Sequence, residues 1–94
     1  MTHLLKNPER QRYEATRDTQ VLGYSVYRDL GDVVELPHTV VEPALEGQGI
    51  ASAVVRFALD DIRASGRQVL PTCSFVARYI QRHPTYADMV ARSN

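Results

Sequence analysis

The stretch VVEPALEGQGIASAVVRFAL, Val40 to Leu59, contains a change of hydrophobic period. Upstream of its end, VVELPHTVV (Val33–Val41) alternates and places Val34, Leu36, His38 and Val40 on one face of an extended strand. Downstream, Ala51, Val54, Val55, Ala58, Leu59 and Ile62 recur at the helical period, with Arg56, Asp60, Asp61 and Arg63 off that stripe. Between the two, Glu42-Pro43 ends the strand and Gly47-Gln48-Gly49 turns straight into the helix. One reading of these glycines is a flexible strand-to-helix turn. The other is an anion cradle, because a helix N-terminus offers unpaired amides and the positive end of the macrodipole.

Outward from this stretch, QVLGYSVYRD (Gln20–Asp29) is rich in β-branched and aromatic residues and reads as a strand. A shorter strand is expected over Arg10–Arg17, anchored by Tyr13, with turns at Asp18-Thr19 and Gly31-Asp32. The three strands form an antiparallel meander. Pro37 removes a ladder donor, so its strand should have an edge, a bulge or a splayed neighbour there. Gly66 stops the helix, and RQVLPTCS supplies a strand that the helical crossover makes parallel to VVELPHTVV. SFVARYIQRH then reads as a second helix with Phe75, Val76, Tyr79 and Ile80 on one face, closed by Pro84. Residues 1–9 are polar, broken by Asn7-Pro8, and read as a flexible N-terminal arm before a single domain over 10–94. The expected class is α+β, in the order β-β-β-α-β-α: a mixed, mainly antiparallel sheet with one parallel pair and two helices.

The chain of 94 residues has room for one core. Its 11 Lys and Arg balance 11 Asp and Glu, so it lacks the basic surplus of a nucleic-acid binder. No apolar run has the length of a membrane span, and MTHLLKNPERQRYE lacks a signal-peptide core. The one cysteine, Cys73, suits a reducing compartment, so the expected location is cytoplasmic. GQGIAS carries Ser52 where the dinucleotide fingerprint needs a third Gly or Ala, and no Gly-Lys-Ser/Thr is present. The histidines and the cysteine are too scattered for a metal site, and no metal is expected.

Two side chains could carry chemistry. Cys73 follows a strand and starts a helix, where the dipole favours negative charge; it is either a nucleophile or a small apolar residue packed at a strand end. His38, three residues before Val41, is either a general base or a hydrogen-bonded core residue.

VVEPALEGQGIASAVV resembles the acyl-CoA-binding motif of the GNAT superfamily of N-acetyltransferases, a strand followed by V-x-P-x-x-R-G-x-G-I-G/A and a helix. Val41, Pro43, Gly47, Gly49, Ile50 and Ala51 match in register. The flanks PHTVVEP and LPTCSFVARYIQRHPTY are similar to the short YjdJ-type acetyltransferases, in which His-Thr precedes the motif and Pro-x-Cys follows the next strand. The resemblance implies acetyl-CoA as co-substrate. Amides of Glu46, Gly47, Gln48, Gly49, Ile50 and Ala51 would face its pyrophosphate, and the backbone of Val40 and Val41 its pantetheine. Val40 and Val41 would then splay from their parallel neighbour. From the second helix it implies Val76, Tyr79 and Arg82 as flanking groups, and it brings Cys73 near the CoA thiol, with His38 as the second catalytic candidate. The acceptor would be an amine, on a protein, a peptide or a small molecule, and the protein a monomer or homodimer. The sequence departs from the resembled motif at Glu46, a position where most members of that superfamily carry basic character. The alternative is a CoA-holding regulatory module with weak or absent catalysis.

Overall fold

A computed structural model of the chain describes residues 1–92. In chain order the elements are β1 (His3–Asn7), β2 (Arg12–Arg17), β3 (Gln20–Asp29), β4 (Val33–Val41), α1 (Ile50–Ala64), β5 (Gln68–Leu70) and α2 (Ser74–Arg82). Short 3₁₀ turns cover Pro43–Leu45 and Pro84–Met89. The strands form one sheet in the order β1-β2-β3-β4-β5, antiparallel through β4 and parallel between β4 and β5. This is the α+β class expected, with β3 and β4 at the expected boundaries.

The N-terminal arm is a correction. His3–Asn7 is a strand, paired with β2 from His3↔Thr16 to Asn7↔Arg12. HLLKN has no β-branched residue and stays mostly exposed at the sheet edge, so neither propensity nor alternation marks it. Lys6 holds it down, with its ammonium 3.6 Å from the Asp61 carboxylate and 5.0 Å from the Tyr27 ring centroid. Asn7-Pro8 opens the β1–β2 turn, in which the Gln11 amide donates to the Pro8 carbonyl.

One face of the sheet carries both helices. Val54, Val55, Ala58, Leu59 and Ile62 of α1 are fully buried, and Val76, Tyr79 and Ile80 of α2 join the same core. Each large aliphatic side chain so placed contributes roughly 1.5–3 kcal/mol, so the α1 stripe anchors the helix that carries the glycine turn. At its C-terminus Gly66 adopts φ 76°, and the Arg67 amide reaches back to the Ile62 carbonyl. That closes the helix as a glycine-stopped motif.

Pro37 has the effect its missing N–H requires. The β3–β4 register runs Val26↔His38 and then Arg28↔Glu35, so β4 carries one extra residue at Leu36–Pro37. The bulge reverses the alternation of the strand. Val34 and Leu36 are buried before it, whereas His38 and Val40 are exposed after it. Among the described residues, no helix is long and apolar enough to cross a membrane.

Tyr13 joins sheet to helix. It is fully buried, packs 5.2 Å from the Tyr27 ring, and donates its hydroxyl to Asp61 at 2.7 Å. Burial, and then the hydrogen bond to the Asp61 carboxylate, push its phenol above the ordinary value. A raised phenol stabilises the fold fully below the unfolded value of about 10 and loses that contribution as pH climbs above it. Tyr13→Phe should therefore cost about 1 kcal/mol near neutral pH. It should also flatten part of the stability loss above pH ~10, read by urea denaturation across an alkaline series.

Candidate functional site

β4 and β5 pair only through Val33↔Gln68, Val34↔Val69 and Glu35↔Leu70. One more bond, from the Cys73 amide to the Leu36 carbonyl at 3.0 Å, ends the contact. Beyond it the strands part, and among the described residues that edge of β4 makes no further backbone hydrogen bond. The opening is a cleft of about 430 Å³, bounded by Thr39 and Val41 of β4, Leu45, Glu46, Gly47 and Gly49 of the turn, Ile50 to Ser52 of α1, and Phe75 of α2.

The glycine turn forms the end wall. Gly47 and Gly49 have φ of 84° and 80°, left-handed values that cost an L-residue roughly 1–2 kcal/mol. A Cβ at either would meet no atom within 4 Å, so the space over both backbones is open. Gly49 precedes α1 with no side-chain cap and no acidic residue in the first turn. The first amide to find a helical partner is Ala53, on the Gly49 carbonyl at 3.0 Å. The Ile50, Ala51 and Ser52 amides are therefore free at the positive end of a helix of 15 residues. Glu46 borders the cleft, with its amide on the Pro43 carbonyl.

Gly23 fixes where this helix end sits. A Cβ there would lie 3.0 Å from the Ile50 Cγ2 and 3.0 Å from the Val40 carbonyl oxygen. Its bareness allows α1 to descend onto β3. Nothing in the sequence distinguishes this glycine from an ordinary strand-interior one.

The candidate side chains divide. His38 is exposed and lies outside the cleft, because the Pro37 bulge turns it, with Val40, to the sheet face that carries no helix. The parity expected from Val34 and Leu36 fails at that bulge, and Thr39 takes the inward position instead. Cys73 is half-buried at the N-cap of α2, with Sγ 3.6 Å from the Thr39 Oγ1. Thr39 in turn lies 3.2 Å from the hydroxyl of the fully buried Ser25, its direct cross-strand partner. A chain Ser25–Thr39–Cys73 thus runs from the core to the opening of the strands. Only its last member was a sequence candidate; counting the bulge as one residue would have pointed to Thr39.

Val41, Glu46, Gly47, Gly49, Ile50 and Ala51 all border the cleft. Gln48 lies within the turn but does not line the cleft, and neither does Val40, whose side chain is exposed. Val76 is wholly in the core. Tyr79 and Arg82 line a second, smaller recess of about 110 Å³ that shares Ser52 and Phe75 with the cleft. Burial keeps the Tyr79 phenol above its ordinary value, partly opposed by the nearby Arg56 charge. Among the described residues, no group of three His, Cys, Asp or Glu could hold a metal ion.

A sheet opened between two parallel strands, with a glycine turn capping the helix between them, is the arrangement of the N-acetyltransferase fold. The chain belongs to the GCN5-related N-acetyl-transferase family, whose pattern it matches over residues 12–89. Solved structures agree in fold. A GCN5-like protein from Staphylococcus aureus, assigned as an N-acetyltransferase, superposes with a TM-score of 0.74 at 18% identity, covering 98% of this chain and 90% of that one. The ribosomal-protein-S18-alanine N-acetyltransferase from Escherichia coli gives 0.66 at 14% identity, over 83% of this chain and 54% of its own. An IAA acetyltransferase from Bacillus cereus gives 0.60 at 20%, over 77% and 52%. The chain therefore spans about half the length of these last two enzymes.

The Gly23 contact can be tested directly. Gly23→Ala should cost roughly 1–3 kcal/mol by pushing Ile50 or the β4 backbone aside. A stability equal to wild type in chemical denaturation would show that the α1 terminus is not seated as described.

Proposed function

We propose that this protein is an acetyl-CoA-dependent N-acetyltransferase that works through the cleft between β4 and β5. The observation that carries this reading is the coincidence of three free amides, two positive-φ glycines and an unpaired strand edge along one cleft. These features fit an acyl-CoA in sequence. The free amides of Ile50, Ala51 and Ser52, beside the bare Gly47 and Gly49, would hold the pyrophosphate, where helix-terminal N–H groups and the dipole favour negative charge; the Gln48 amide is already engaged by the Leu45 carbonyl. The unpaired edge of Thr39–Val41 would bond the pantetheine amides as an added strand. A bound acetyl thioester supplies an activated acyl group at the inner end, beside Thr39 and Cys73. Glu46 is the one lining residue that opposes this ligand, since its carboxylate repels a phosphate unless its side chain turns to solvent.

Cys73 does not itself line the cleft, but its thiol touches Thr39, which does, and this contact supports it as the acyl acceptor. Its thiol donates to the Thr39 hydroxyl, which can itself bond to Ser25, so the pair orients the sulfur while its proton passes to the departing CoA sulfur. Attack by sulfur on the thioester carbonyl would form the acetyl–Cys73 bond, break the acyl–CoA bond and leave the displaced thiol carrying the proton. A neutral amine would then attack the acetyl–sulfur carbonyl and regenerate Cys73. His38 has no role in this scheme. The acceptor is an amine on a protein, a peptide or a small molecule, and the uncovered sheet face leaves its approach open. The second reading, a CoA-binding regulatory module without turnover, is favoured by Glu46 at the cradle.

Thermal unfolding with CoA and acetyl-CoA tests the site. At a hundredfold excess over Kd, stabilisation should reach about 2.7 kcal/mol, and Tm should rise by several degrees. Unchanged Tm at saturating concentrations would remove both readings. Where binding holds, intact mass after acetyl-CoA incubation should show one acetyl group, absent in Cys73→Ala. His38→Ala should retain transfer to an amine panel; its loss with binding intact would return that histidine to the mechanism.

A further inference from the structure

The smaller recess beside the cleft is lined by Ser52, Phe75, Arg78, Tyr79, Arg82 and His83. Three of these six are basic and none is acidic, in a chain whose charges balance overall. Arg12, Arg28, Arg63 and Arg67 each have a carboxylate partner. Among the described residues, Arg78 and Arg82 have none and make no side-chain hydrogen bond. They sit one helical turn apart on α2, a spacing at which like charges destabilise the helix by a few tenths of a kcal/mol. An anion between them removes that repulsion.

The rest of the recess is ordered. The His83 ring stacks on Tyr79 with centroids 4.0 Å apart. Its Nδ1 lies 2.8 Å from the Tyr79 carbonyl oxygen, which can only accept, so Nδ1 carries the proton and Nε2 remains free. Ser52, in the first turn of α1, belongs to both cavities, so the recess begins where the free amides end.

We propose that this basic recess takes the 3′-phosphate of coenzyme A. The inference rests on the acetyl-CoA reading of the adjoining cleft. In coenzyme A the phosphomonoester sits on the ribose, beyond the pyrophosphate and opposite in direction to the pantetheine. With the pantetheine along β4 and the pyrophosphate on the α1 amides, the ribose end leaves the cleft past Ser52 and Phe75. That is the wall shared with the recess. A dianionic phosphomonoester matches two guanidinium groups better than a single carboxylate does. The same pair supplies positive charge that counters the Glu46 carboxylate in the adjoining cleft.

Calorimetric titration with CoA and with 3′-dephospho-CoA tests the assignment. Wild type should bind CoA roughly tenfold more tightly than the dephospho compound, the scale expected of two partly exposed charge-assisted contacts. In Arg78→Gln/Arg82→Gln the two ligands should bind alike, at the wild-type affinity for dephospho-CoA. If circular dichroism shows lost helix in the double variant, Arg82→Gln alone should still reduce the ratio. Equal affinities in wild type would overturn the proposal while leaving the cleft reading intact. So would a variant that weakens both ligands by the same factor. Absence of binding by either compound to wild type would overturn the cleft reading and this proposal with it.

Discussion

The parting of β4 from β5 is the constraint on which the rest of this small structure depends. A parallel pair normally continues as long as both strands supply donors and acceptors. Here it lasts three residue pairs, because β4 gains a residue at the Pro37 bulge and β5 gives way to Pro71 and the start of α2. The outcome is a strand edge bare of partners yet held rigidly from behind by the β3 ladder. Unpaired backbone groups are costly when buried and hazardous when exposed. A cleft that offers them to an extended ligand uses both facts.

The helix α1 completes that arrangement from the other side. Its stripe of fully buried residues fixes it against β2, β3 and β4, and Gly23 lets its first turn come close to the sheet. The amides of that first turn have no cap from the chain itself. Packing thus holds a positive helix end in place, and the glycines keep side chains off it. Charge then differs between the two cavities, with Glu46 in the cleft and, in the adjoining recess, the α2 arginines that have no carboxylate partner among the described residues. For a chain with no net charge, local placement of those few groups governs which anions can dwell there.

Much of this was legible in the residues. The switch from alternation to helical period around Gly47 and Gly49 marks the strand, turn and helix that shape the cleft. Pro37 signals irregularity in β4, and a bulge is what it produces. The side on which His38 falls was not legible, because a bulge inverts every residue after it and alternation alone cannot say that one has occurred. Thr39 and Ser25 escaped notice for a related reason: their hydroxyls acquire meaning only from cross-strand register. The edge strand β1 is held by ladder bonds and by Lys6 over aromatic rings, neither of which leaves a hydrophobic pattern. Gly23 matters through a helix that approaches from far along the chain.

The central claim is that the opened strands and the glycine turn form one continuous ligand track. Backbone amide NMR of the labelled protein titrated with CoA reads that track residue by residue. The account predicts the largest shifts at Thr39 to Val41 and at Gly47 to Ser52, with His38's side chain and the β1–β2 edge unmoved. Saturable binding that shifts the uncovered sheet face instead, and leaves the glycine turn unchanged, would contradict it.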